Sequence, residues 1–306
     1  MKILLTGASG FIGSHVARTL LRARHEIHAI VRPDDEMWRI RDILPLLRIV
    51  SADLLDLAFA LPPASFDACI HLAWYVEPGK YLESPQNKDW VEASLRLARL
   101  IKESGCRRFI AAGTCFEYAT SDPPQRESTP TEPSTLYVQS KLKLLHELQA
   151  AGIEFAWVRF FYQYGPREDP RRLVPVIINS LLNAQEVKLV PGDRTRDYLY
   201  IEDVASAVCA VAQSNITGAV NIGSGVPVTV HDIALKIGHL LDRVDLLQFG
   251  ALPYSAKEPM QLLADNTKLR ENTDWEPRVS LDDGLRQTVE WWKSQQRPRP
   301  PRASTH

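Results

Sequence analysis

Tyr137 and Lys141 stand four residues apart in Tyr137-Val138-Gln139-Ser140-Lys141, and no other of the nine tyrosines has a lysine at that distance. On a helix this spacing puts both side chains on one face. A phenol titrates near 10 in water and is a poor base at neutral pH. A neighbouring ammonium favours phenolate and is expected to lower that value, so the pair is suited to exchanging a proton with a hydroxyl while hydride moves. Thr114 follows the apolar run Phe109-Ile110-Ala111-Ala112-Gly113. A small hydroxyl at the end of a buried strand is placed to hydrogen-bond the reacting oxygen; capping a turn is the plain alternative.

A second constellation lies upstream, where Thr6-Gly7-Ala8-Ser9-Gly10-Phe11-Ile12-Gly13 joins an apolar strand to a helical pattern. In that context Gly7 serves a tight turn, Gly10 the close approach of a pyrophosphate, and Gly13 the packing of helix on sheet. Unpaired amides and the helix dipole would hold the phosphates. After the second strand the chain reads Val31-Arg32-Pro33-Asp34-Asp35. Arg32 suits the 2′-phosphate of NADP, whereas Asp34 or Asp35 would take the free ribose hydroxyl of NAD. The reading favours NADP(H) and leaves NAD(H) open.

The G-x-x-G-x-x-G spacing, the Tyr137/Lys141 pair and Thr114-Cys115-Phe116-Glu117-Tyr118 together resemble the extended short-chain dehydrogenase/reductase superfamily, its nucleotide-sugar epimerase, dehydratase and reductase group. Arg196-Asp197-Tyr198 through Asp203, Asn221-Ile222-Gly223 and Trp291-Trp292 extend the likeness over residues 1 to about 293. The resemblance implies Thr114, Tyr137 and Lys141 as catalytic residues. It puts Gly7, Ser9, Gly10, Phe11, Ile12, Gly13, Arg32, Asp53, Leu54 and Ala73 on the cofactor, together with Tyr137 and Lys141. Tyr75, Thr114, Tyr162, Val174, Arg196 and Lys257 fall to a nucleotide-linked sugar, with Arg196 on its diphosphate. No metal is implied, and a homodimer through the helices at 90–103 and 138–151 is a family expectation.

Departures from the family pattern narrow the chemistry. The dehydratase branch resembles T-D-E after the threonine; Cys115-Phe116 leaves that elimination without its acid and base. Cys115 is one residue off the position of a catalytic cysteine in related reductases and reads as packing. Tyr162 replaces an asparagine of R-x-x-N-x-Y-G-P, and Lys257 stands near where many relatives carry a second phosphate arginine. The leading expectation is an NADPH-dependent 4-ketoreductase of a nucleotide-linked 4-keto-6-deoxysugar. Its rival is a redox-neutral 4-epimerase with bound NAD. A non-catalytic sensor of nicotinamide redox state and a reductase of small carbonyl compounds stand further off.

The elements that must position these residues follow from periodicity. Short β-rich runs at 2–5, 26–31, 47–50, 68–72, 108–112 and 155–159 alternate with helical patterns at 11–22, 90–103 and 138–151. That alternation predicts an α/β, Rossmann-like, doubly wound parallel sheet, with Gly105 and Gly152 as helix stops. Residues 1–165 form the expected cofactor domain, with segments near 196–225 returning to it. Residues 166–195 and 226–294 make a smaller, interleaved substrate domain, and 295–306, rich in Pro and Arg, a disordered tail.

Composition adds exclusions. Lys plus Arg (36) balance Asp plus Glu (37) over 306 residues, so no global field favours nucleic acid or an anionic membrane. Four scattered cysteines without a C-x-x-C pair read as reduced thiols. With no signal-peptide pattern and no apolar run of about 18 residues, the expected setting is cytoplasmic, away from membranes.

Overall fold

The computed structural model of the chain describes residues 1–119, 124–254 and 260–296. Its first half alternates strand and helix: β1 (Lys2–Thr6), α1 (Phe11–Arg22), β2 (Glu26–Val31), β3 (Arg48–Ser51), β4 (Ala68–His71), α2 (Gln86–Glu103), β5 (Phe109–Thr114), α3 (Leu136–Ala150) and β6 (Phe155–Phe160). Every residue of β4 and β6 is buried, as expected of parallel strands covered on both faces. Successive residues of β1 serve opposite faces. Ile3 and Leu5 pack with Val16 and Leu20 of α1, while Leu4 packs with Leu97 of α2 and Leu144 of α3. Gly105 and Gly152, both at positive φ, end α2 and α3.

The second half continues with β7 (Tyr162–Tyr164), α4 (Leu173–Leu182), β8 (Val187–Lys188), β9 (Thr195–Tyr200), α5 (Ile201–Gln213), β10 (Gly218–Ile222), β11 (Pro227–Thr229), α6 (Val230–Leu241), β12 (Leu247–Gln248), β13 (Gln261–Leu262), α7 (Thr267–Glu271) and α8 (Leu281–Gln296). Among the described residues, seven strands form one parallel sheet in the order β10-β6-β5-β4-β1-β2-β3. Within the stretch 196–225, β10 joins that sheet. β9 instead organises a small sheet with β7, β11 and β13.

Strand order reverses between β1 and β4, which opens a crevice at their carboxyl ends. Register brings Thr6 opposite His71 and Thr114 opposite Phe160. The glycine loop, the residues after β4, Thr114 and the start of β7 therefore leave the sheet along one edge. At the far end α8 continues through Gln296, so the first two residues assigned to a disordered tail are helical, in a helix packed on α4 and α6. Residues 297–306 lie outside the described residues.

Candidate active site

The glycine loop is shaped by contacts that exclude side chains. Gly7 has φ +72°, and a Cβ there would stand 2.8 Å from the Ala73 nitrogen. A Cβ on Gly13 would stand 2.0 Å from the Gly7 oxygen, so this glycine lets α1 close on the loop. Gly10 is more open, with only the Gly7 oxygen near, at 3.1 Å, and it starts α1 without a side-chain cap. The first-turn amides at Phe11, Ile12 and Gly13 thus line the cleft as an anion cradle.

Next to the cradle the Ser9 hydroxyl donates to Asp35 Oδ2 at 2.7 Å, and the Met37 amide donates to Asp35 Oδ1 at 2.8 Å. Asp35 and Arg32 both line the cleft. Arg32 is more than half exposed, and its Nε lies 3.8 Å from Asp34. Ala52, Leu54 and Leu55 form an apolar floor. Asp53 stands behind that floor, its Oδ1 accepting the Leu55 amide at 2.9 Å. Uncapped amides, a carboxylate beside them and an apolar slot fit a dinucleotide. Glu168 also lines the cleft; it is 7% exposed, and its Oε2 has no partner among the described residues. Burial pushes its carboxyl well above the usual range.

At the next strand, Thr114 ends β5 and caps the turn Cys115–Glu117, accepting from the Phe116 amide at 3.3 Å. Glu117 completes the box, taking the Thr114 amide at 2.9 Å. Its other bonds run inward, to Arg159 Nε at 2.7 Å and Trp157 Nε1 at 3.0 Å, with Glu117 and Arg159 both buried. Gly113 is required beneath them, since a Cβ would meet Trp157 Nε1 at 2.3 Å. This buried knot fixes the height of Thr114 over the sheet. Cys115 is a buried thiol whose pKa burial pushes up, so it packs without serving as a nucleophile.

Tyr137 lies in the first turn of α3, which Thr135 caps. It is buried, and with Thr114 it lines the cleft, where the Thr114 hydroxyl favours the phenolate less than burial disfavours it. Lys141, one turn on, donates from Nζ to the Ala112 carbonyl at 2.8 Å. The same ammonium sits 3.5 Å from the Trp74 ring centroid and 5.8 Å from that of Tyr137. Burial brings Lys141 down to about 7, against a smaller opposing pull from Glu117. Burial drives Tyr137 upward, and the Lys141 ammonium lies against the Ala112 carbonyl and the Trp74 indole.

Behind the pair, His71 is buried with Nδ1 2.8 Å from Thr6 Oγ1 and Nε2 2.8 Å from Ser94 Oγ. Ser94 spends its own proton on the Trp90 carbonyl, so His71 carries hydrogen on Nε2. Burial, helped by Lys141, holds the ring near 3 and therefore neutral. Thr6 in turn accepts the Ala73 amide at 3.2 Å, which sets the cleft wall there.

The cleft runs on as one cavity of about 1010 Å³. Its far wall includes Tyr75, Tyr162, Val174 and Arg196, with Lys188, Leu189 and Val190 beyond. Arg196 is 2% exposed, and its Nη1 donates to the Thr195 carbonyl at 2.8 Å. Tyr162 packs between Phe116 and Tyr198, ring centroids 6.1 and 5.5 Å away. Asp197 does not pair with Arg196. It accepts the amides of Ser224, Gly225 and Ala264 and the Ser224 hydroxyl. Lys257 lies outside the described residues. Sequence reasoning missed Trp74, Glu168, His71 and Asp35 as the partner of Ser9. Only His71, a polar residue ending a wholly apolar strand, carried a local signal.

A doubly wound sheet with a glycine cradle at its switch point, and Thr114, Tyr137 and Lys141 beside it, defines an extended short-chain dehydrogenase/reductase. The chain belongs to the NAD dependent epimerase/dehydratase family, whose model matches residues 3–223. It is 29% identical to an uncharacterized UDP-glucose epimerase of Bacillus subtilis, over 96% of this chain and 98% of that one. Identity to a UDP-glucose 4-epimerase of Mycolicibacterium smegmatis is 27%, over 96% and 99%. A UDP-glucuronic acid 4-epimerase of Bacillus cereus, solved as a Tyr-to-Phe mutant with NAD and a UDP-linked 4-deoxy-4-fluoroglucuronic acid, superposes with a TM-score of 0.84. It is 26% identical, with 96% and 100% of the two chains covered. Among the described residues no helix is long and apolar enough to cross a membrane.

Proposed function

We propose that this enzyme is a redox-neutral 4-epimerase of a UDP-linked hexose, working with NAD that it keeps through turnover. One observation carries the reading. Thr114 and Tyr137 meet at the end of β5, and the turn that follows offers their substrate only a thiol and a phenyl ring, Glu117 being committed to Arg159. With no free carboxylate in that turn to remove or donate a second proton, elimination lacks its machinery there, whereas hydride transfer at one carbon needs only the groups present.

NAD, when bound, supplies a hydride acceptor that returns the same hydride. The amides at Phe11 to Gly13 would hold its pyrophosphate, and the Asp35 carboxylate its adenosine ribose. That carboxylate opposes a 2′-phosphate, so the NADP preference suggested by Arg32 is not carried forward. Thr114 would hold the sugar's O4 by a hydrogen bond. Tyr137, acting as the phenolate that a neighbouring positive charge stabilises, would take the O4 proton as the C4–H bond breaks. It returns that proton once C4–H re-forms on the other face. Lys141 supplies the positive charge that offsets the phenolate, and Arg196 meets the diphosphate.

The relatives' epimerase activities support this reading over the 4-ketoreductase. Four buried, unpaired cysteines fit a reducing, cytoplasmic setting, and pairing through α2 and α3 is the proposed dimer. The test is made on protein as purified. It should carry close to one NAD per chain and interconvert UDP-glucose and UDP-galactose, or the corresponding uronates, without added coenzyme. Stoichiometric consumption of NADPH during turnover would replace the reading with the reductase.

A further inference from the structure

Lys141 has a surrounding that the active-site pair does not explain. Its ammonium is 2% exposed and donates to the Ala112 carbonyl. The Trp74 indole covers the open side, with its centroid 3.5 Å from Nζ. That ring is not free to drift. Its Nε1 donates to Asn87 Oδ1 at 2.8 Å, and Asn87, fully buried, is itself fixed by donating to the Tyr81 and Ser84 carbonyls. Trp74 also meets Tyr137 edge-on at 6.4 Å and lines the cleft.

We infer that Trp74 is a positioning residue for this reaction: its anchored face holds the Lys141 ammonium beside Tyr137 and keeps it charged inside the cleft. An indole is the strongest of the aromatic partners for a cation, and the interaction grows when water is excluded. The other groups facing Lys141 cannot supply this. His71 on β4 is neutral, and Cys115 is a thiol. Glu117 acts at a distance while paired to Arg159, and the Trp157 ring stands 6.0 Å away. Lys141 titrates near neutrality, so a small change in its surroundings alters how much of it is charged at working pH.

The inference rests on the hydride-transfer reading of the site but not on the identity of the sugar. It is tested on the NAD-loaded enzyme by lysine ε-carbon NMR, with the Lys141 signal assigned by its loss in Lys141→Met. Trp74→Leu should lower the Lys141 titration by about half a unit or more, and Trp74→Phe by less. The high-pH limb of kcat should move down by the same amount. If Trp74→Leu does not fold, Trp74→Phe decides alone. A Lys141 titration unchanged in the folded variants, or kcat lowered equally at every pH, would overturn the inference. A shifted titration in an enzyme idle on every C4 epimer pair would instead sink the epimerase reading and leave this one standing.

Discussion

The two walls of the cleft are built by different means. The cofactor wall is made by backbone: three glycines, an uncapped helix start, and strands β1 and β4 ending in register. The substrate wall is backed by buried side chains, outside the cleft lining, that tie distant loops together. Asp197 binds the turns at 224–225 and 264, and Asp203 takes the amides of Arg278 and Val279. Backbone geometry permits few residues at each position and so fixes a motif. Side-chain ties can be made from many positions, so the substrate wall fixes no comparable motif.

Each wall can be broken separately. The largest effect is expected where they meet: Tyr137→Phe should lower kcat by roughly 10² to 10⁴-fold with bound NAD retained, checked by rate and by cofactor released on denaturation. On the cofactor wall, Gly13→Ala forces a methyl against the Gly7 oxygen. It should cost about 1–3 kcal/mol of stability and strip the purified protein of NAD, read by thermal unfolding and absorbance.

On the substrate wall, Asp197→Asn turns an NH₂ toward amides that need an acceptor. A loss of about 1–3 kcal/mol is expected, with KM for the nucleotide sugar raised and NAD content unchanged. NAD loss in that variant would show that the walls are not independent.

The same difference explains what the sequence disclosed. The glycine loop, Thr114 and the Tyr137/Lys141 pair lie within short windows whose spacing maps directly onto a turn, a strand end and a helix face. The alternation of apolar runs likewise made the parallel sheet legible. Trp74 over Lys141, Glu117 with Arg159, and Asp197 with Ala264 join residues 67, 42 and 67 positions apart, and no local pattern announces them. The depth at which Tyr137 and Lys141 are buried is invisible for a related reason, although their spacing is plain in the sequence. Arg32 was visible too, while the Ser9 to Asp35 bond that brings a carboxylate beside the glycine loop appears only on folding.

The central claim is that hydride leaves and returns to one carbon within a single closed cleft. It is tested most directly with a UDP-hexose deuterated at C4, turned over by the purified enzyme without added coenzyme. The account predicts that the epimeric product keeps its deuterium at C4 through many turnovers. Appearance of the label in exchangeable NADPH, or its replacement by hydrogen from added coenzyme, would contradict it.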